Sequence, residues 1–162
     1  MMEDKSSLAK LKEDYSKIQE KYSLPSFEEL NKEFQIEKIA ESETDFLLRE
    51  VRKYMAEKFS NYLRFVEAVL NPSNVSMFIF SFIKTLNPED KKLLENAGKN
   101  LMKIEVESIE LDIDSSEEKE VDFIKKSYIL WEECKKEFLF IFQSVRKNWD
   151  NKTEANNKGY FG

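Results

Sequence analysis

The chain has almost nothing with which to turn a β-strand. Its 162 residues include three glycines and three prolines, and no Asn-Gly or Asp-Gly pair occurs. A sandwich or barrel needs a turn about every 8–12 residues, and those turns draw on residues that accept positive φ or pre-set it. All-β architectures are thereby removed, and helices are left to bury the apolar side chains. Those side chains are plentiful: 41% of residues are hydrophobic, with 13 Phe, 6 Tyr and 2 Trp. The 36% that are charged lie between them rather than in separate blocks, the pattern of amphipathic helices with one solvated face.

Caps and apolar spacings delimit the segments. Leu8, Leu11, Tyr15, Ile18 and Tyr22 alternate steps of three and four, drawing one narrow stripe along a first helix that stops before Leu24-Pro25. This helix can dock on its own chain or pair with another. Ser26 and Glu29 have capping-box spacing, so a short second helix follows with Phe27, Leu30 and Phe34 inward. A long third helix is expected from near Ser42 to Leu70, with Leu48, Val51, Met55, Tyr62, Phe65 and Val69 on its stripe and Asn71-Pro72 ending it. The apolar run 77–83 suits a buried strand or a buried helix; with helices on both sides and no partner strand it reads as helix.

Asn87-Pro88 gives an N-cap followed by proline at the first helical position, opening a fifth helix through Leu93, Leu94, Ala97 and Leu101. Beyond it, 104–107 and 109–114 alternate apolar and acidic residues with period two around a phase slip at Ser108. Two short strands would do that, as would a helix end followed by an extended linker; the linker is the favoured reading. Ser115-Ser116 then cap the last helix, whose seam runs Val121, Ile124, Tyr128, Trp131, Lys135, Phe138, Phe142, Val145, Trp149, broken only by Lys135. That seam spans roughly 42 Å at 1.5 Å per residue, against a radius of gyration of about 15 Å for a compact domain of this length. The expected fold is all-α: an elongated single-domain bundle of five or six helices over residues 1–150, with long third and last helices antiparallel to each other. Residues 151–162 read as a polar C-terminal tail.

No histidine occurs in the chain. That removes the commonest general base at neutral pH, the Ser-His and Cys-His nucleophile pairs and the Glu-x-x-His di-iron motif. With a single cysteine, Cys134, no tetrahedral Cys/His zinc set and no intramolecular disulfide can form. Gly-rich phosphate loops are absent. Enzymatic chemistry would have to rest on carboxylates, and Glu117-x-x-Glu120 with Asp122 is the candidate metal set, since Glu-x-x-Glu pairs on helical turns can hold Mg²⁺ against phosphates. No matching pair stands on another helix, and solvated acids at a helix start are the favoured reading of the spacing.

Other features suit recognition. From Ile104 to Asp122 nine residues are acidic and only Lys119 is basic, which suits a solvated linker or a docking surface for a basic partner. Arg49 and Arg64 share a third-helix face with Lys53 and Ser60, opposite the apolar stripe, interrupted by Glu57. Phe140 falls about 160° from the midline of the last seam if that helix is regular, so more than one side of it is apolar. Trp149 closes the seam, and Tyr160-Phe161 are two aromatics in a polar tail. Phe140, Trp149, Tyr160, Phe161, Arg49 and Arg64 are therefore the candidate interaction residues.

Net charge is −6, which disfavours binding that depends on neutralising phosphates. The longest uncharged stretch is broken by Asn71, Pro72 and Asn74 and does not make a membrane span. With no signal-like apolar segment at the start, the chain is expected in the cytoplasm. The functional expectation is a non-enzymatic helical interaction or assembly protein, adaptor or self-associating, needing no cofactor. The alternative is a carboxylate-based, divalent-metal-dependent phosphohydrolase.

Overall fold

The cap signals are realised as hydrogen bonds. In a computed structural model that describes the backbone of residues 2–161 and the side chains of residues 5–151, six α-helices follow one another: α1 (Met2–Tyr22), α2 (Phe27–Phe34), α3 (Leu47–Leu70), α4 (Met77–Thr85), α5 (Pro88–Ile113) and α6 (Glu117–Phe161). A 3-10 helix, Ile36–Glu41, lies between α2 and α3, and no strand occurs among the described residues. Ser26 Oγ accepts from the Glu29 N–H at 3.1 Å while Glu29 Oε2 accepts from the Ser26 N–H at 2.8 Å. Asn87 Oδ1 caps the Asp90 N–H at 2.8 Å, and Ser116 Oγ caps that of Lys119 at 3.2 Å. Each satisfies a donor that the first helical turn leaves without a partner. No helix among the described residues is long and apolar enough to cross a membrane.

Two compact units divide the chain, Met1–Ser60 with Lys103–Leu130 and Asn61–Met102 with Trp131–Gly162. In the first unit α1 docks on its own chain. Tyr15 is 1% exposed; its hydroxyl donates to the Pro25 carbonyl at 2.5 Å and its ring meets Phe27 edge-on at 5.9 Å. Phe27, Leu30 and Phe34 are buried as their spacing requires, and Phe34 packs edge-on against Phe59 of α3 at 5.5 Å. The turn out of α2 passes through Gln35 in the left-handed region, φ 54°, with its N–H bonded to the Asn31 carbonyl at 2.9 Å. The chain then makes the 3-10 helix before α3 begins at Leu47, so α3 starts five residues later than its expected start near Ser42.

The segment 104–113 is helix, not linker or hairpin. Its period-two alternation has a helical cause. Ile104, Ser108 and Leu111 are buried on one side of α5, whereas Val106, Ile109 and Ile113 are exposed. Two apolar stripes on opposite sides of a helix place apolar residues at nearly every second position over a short stretch.

The second unit is built on aromatic packing. The Tyr62 ring lies 5.1 Å from both Trp131 and Phe138, and Phe65 meets Phe82 and Phe142 at 5.3 and 5.9 Å. In these pairs α6 advances as α3 advances, so here the third and last helices run parallel rather than antiparallel as expected. The antiparallel neighbour of α6 is α5: Asn87 bonds to Ser144, Ser144 Oγ donates to Asp90, and Asn96 reaches Glu137. A short connection after Ile113 reverses the chain into α6, which makes the last helix oppose the fifth and leaves it free to run with the third. The helix also continues past Asp150 to Phe161, so the stretch read as a polar tail is carried in α6.

Gly98 of α5 lies close against Val66 of α3 in this unit: a Cβ there would lie 2.9 Å from Val66 Cγ1. Gly98→Leu is expected to cost about 1–3 kcal/mol by overpacking, although leucine is the better helix former. A lower urea midpoint at unchanged m would show it.

Candidate functional site

Two charged side chains among the described residues are only 1% exposed, Asp90 and Arg52, and Arg52 is the larger. At 100° per residue it falls inside the apolar arc of α3, near Phe59 and Leu63, not on the outer face with Arg49 and Arg64. Its Nε donates to Glu120 Oε2 at 2.6 Å and its Nη2 to Asp112 Oδ1 at 2.9 Å. Its Nη1 donates to the Ser108 carbonyl at 3.2 Å and to Ser108 Oγ at 3.1 Å. Glu120 is 3% exposed, and its second oxygen accepts from Ser115 Oγ at 2.8 Å. The guanidinium thus ties α3 to the inner side of α5 and to the first turns of α6. Both carboxylate oxygens of Glu120 and both serine hydroxyls are engaged, so the cluster offers structure and orientation, not a free acid, base or nucleophile.

This placement sets Asp122 apart from the other two metal candidates. Glu120 is held by Arg52 and Ser115; Glu117 is exposed, 3.9 Å from Lys21. Those two line a pocket of about 260 Å³ together with Arg49, Ile18 and Phe46. Asp122 lines a different groove, of about 440 Å³, with Glu107, Glu110, Asp114, Lys119 and Lys126 around Leu111 and Phe123. Among the described residues no group of three or more acidic or cysteine side chains is arranged to hold a metal ion.

The interaction candidates are dispersed as well. Arg49 in the first unit lies over the Phe46 ring at 5.2 Å. Arg64 in the second unit is exposed beside Glu67 and Asn71. Phe140 is 57% exposed on the outer side of α6, so its own unit does not cover that side of the helix. Trp149 is 47% exposed and shares a pocket of about 320 Å³ with Phe78, Phe82, Val145 and Arg146. Met77, Phe78 and Phe80 of α4 are exposed too, the last beneath the Lys84 ammonium at 4.4 Å. The side chains of Tyr160 and Phe161 lie outside the described residues.

Sequence reasoning missed the face that α5 turns outward. Val106 and Ile109 are each 54% exposed and Ile113 is 84% exposed. At 100° per residue they lie within about 60° of one another, roughly opposite Ile104, Ser108 and Leu111. Their spacing of three and four is that of a helix-pairing seam. The steps 106–109–113 were the available signal, hidden inside an apparent strand pattern. Glu105 and Asp112 flank the seam on one side, Lys103 and Glu110 on the other. Arg52 secures the segment from behind through Ser108 and Asp112.

Two titratable groups of the second unit have raised pKa values. Cys134 is 1% exposed, and burial first, then Glu137 and Glu133, push its thiol up to about 11. The folded thiol therefore keeps its proton to higher pH than the unfolded one, so stability falls as pH rises from 9.0 to about 11. Cys134→Ala is expected to remove that part of the slope in urea titrations. What remains comes partly from Tyr15, raised by burial and then by Glu29. Glu137 is raised chiefly by burial, with Asn96 opposing, and its Oε2 is buried without a hydrogen-bond partner. No protein-family model, no curated protein and no solved structure matches this chain.

Proposed function

We propose that this protein is a non-enzymatic interaction module that works through exposed helix faces, chiefly the outward face of α5. The observation that carries this reading is the two-sidedness of α5: Ile104 and Leu111 serve the core, while Val106, Ile109 and Ile113 stay exposed at pairing-seam spacing. Solvated helix faces are ordinarily polar, and clustered exposed apolar side chains mark binding surfaces. Covering each of these three contributes on the order of 1 kcal/mol. The partner is a protein rather than a nucleic acid, in keeping with a net charge of −6. A cytoplasmic setting fits a lone cysteine that is buried and free.

A photo-crosslinking residue placed at Ile109 tests the reading, with one at exposed Lys17 of α1 as the control. Discrete adducts from position 109 and none from 17 are expected, and light scattering shows whether the adduct is a second copy. A strict monomer that forms no adduct from 106, 109 or 113 would overturn it.

A further inference from the structure

We propose that the partner of the outward α5 face is an amphipathic helix carrying lysine or arginine on both sides of its apolar stripe. This rests on the reading of α5 as an interaction surface and adds the chemistry of what binds there. Three of the four positions flanking the seam are acidic: Glu105 and Asp112 on one side, Glu110 facing them across it, with Lys103 the exception. Asp112 already accepts from Arg52 at 2.9 Å through one oxygen but is 59% exposed, while Glu105 and Glu110 carry most of the charge. Glu110 and Ile113 also border the 440 Å³ groove, whose rim holds Glu107, Glu110, Asp114 and Asp122 against Lys119 and Lys126. Both of those lysines already have acids, Asp114 at 2.7 Å and Glu107 at 3.7 Å. The face therefore presents an apolar stripe in a negative field, which attracts and orients a positive partner.

A second copy of the chain fits this face poorly. Flanking positions set partner choice in paired helices. If two copies pair in parallel through this seam, Glu105 meets Glu110 of the second copy. In the antiparallel arrangement Glu105 meets Asp112, and only the Lys103–Glu110 contacts are favourable. A helix with Lys or Arg at its own flanking positions turns three of the four flanks into opposite-charge pairs, and it keeps the apolar contacts with Val106, Ile109 and Ile113.

The experiment is fluorescence anisotropy with two labelled synthetic three-heptad peptides. Both have leucine at the seam positions; one carries lysine at every flanking position and the other glutamate. The lysine peptide is expected to bind at least tenfold more tightly than the glutamate peptide, and less tightly as salt is raised. The double variant Ile109→Glu, Ile113→Glu is expected to lose that binding. Glu105→Lys with Glu110→Lys is expected to reverse the preference between the peptides. All four substituted positions lie away from the buried side of α5, and far-UV circular dichroism checks that the helices persist. Equal affinity for the two peptides, or a preference that survives either double variant, would overturn the proposal. If the lysine peptide is ignored while the protein dimerises and Ile109→Glu dissolves the dimer, α5 remains an interaction surface but its partner is a second copy. If neither peptide nor copy binds, both readings fall.

Discussion

Arg52→Ala is expected to lower the unfolding free energy by about 3–5 kcal/mol, because it leaves a carboxylate buried without its counter-charge. Glu120 is 3% exposed and keeps only the Ser115 hydroxyl once the guanidinium is gone. The cost comes from the unpaired charge, not from any large net worth of the pair. Arg52→Met combined with Glu120→Leu is therefore expected to sit near or above the parent, since well-packed apolar residues often replace a buried ion pair without loss. Asp112→Asn tests the other end of the cluster. Asp112 is 59% exposed, so its charge is screened by water and the change is expected to stay within about 1 kcal/mol. Urea denaturation of the four proteins measures this directly. A single Arg52→Ala variant as stable as the parent would contradict the view that the guanidinium is what compensates the buried Glu120 carboxylate.

Phe59→Ala carries the second large effect, about 3–5 kcal/mol from lost transfer energy and the cavity left behind. The ring is fully buried and meets Phe34 edge-on with planes 77° apart, a geometry worth roughly 0.5–1.5 kcal/mol beyond its area. Phe140→Ala removes the same side chain from a 57% exposed position on α6. Its effect on stability is expected within about 0.5 kcal/mol. A Phe140→Ala variant as destabilised as Phe59→Ala would show that the outer side of α6 is covered in the folded chain.

Much of the fold was legible because its signals are local. Capping boxes and proline positions depend on residues three apart, and the stripe of α2 and the seam of α6 are simple 3.6-residue patterns. The direction of α6 relative to α3 was not legible, since it depends on which helices pair, and no side chain near the connections encodes that. The helix over 104–113 was hidden because Val106, Ile109 and Ile113 are apolar where a solvated face would be polar. Arg52 was legible in principle. Its angle on α3 puts it among Val51, Met55 and Phe59, and Glu120 occupies the core-facing line of α6, yet the pairing of two charges 68 residues apart is a tertiary fact. The acidic tract was legible as charge alone; its division between the buried Glu120, the half-buried Glu105 and the exposed Glu110 came only with the packing.

The proposed function requires that the outward face of α5 serve binding and not folding, and one measurement separates the two. The unfolding free energy of the double variant Ile109→Glu, Ile113→Glu, taken by urea titration in dilute solution, is expected to lie within about 1 kcal/mol of the parent, as for surface substitutions outside the core. A loss of about 4 kcal/mol or more, the scale for disrupting two buried isoleucines, would contradict that, because it would mean that the folded chain itself already covers the face.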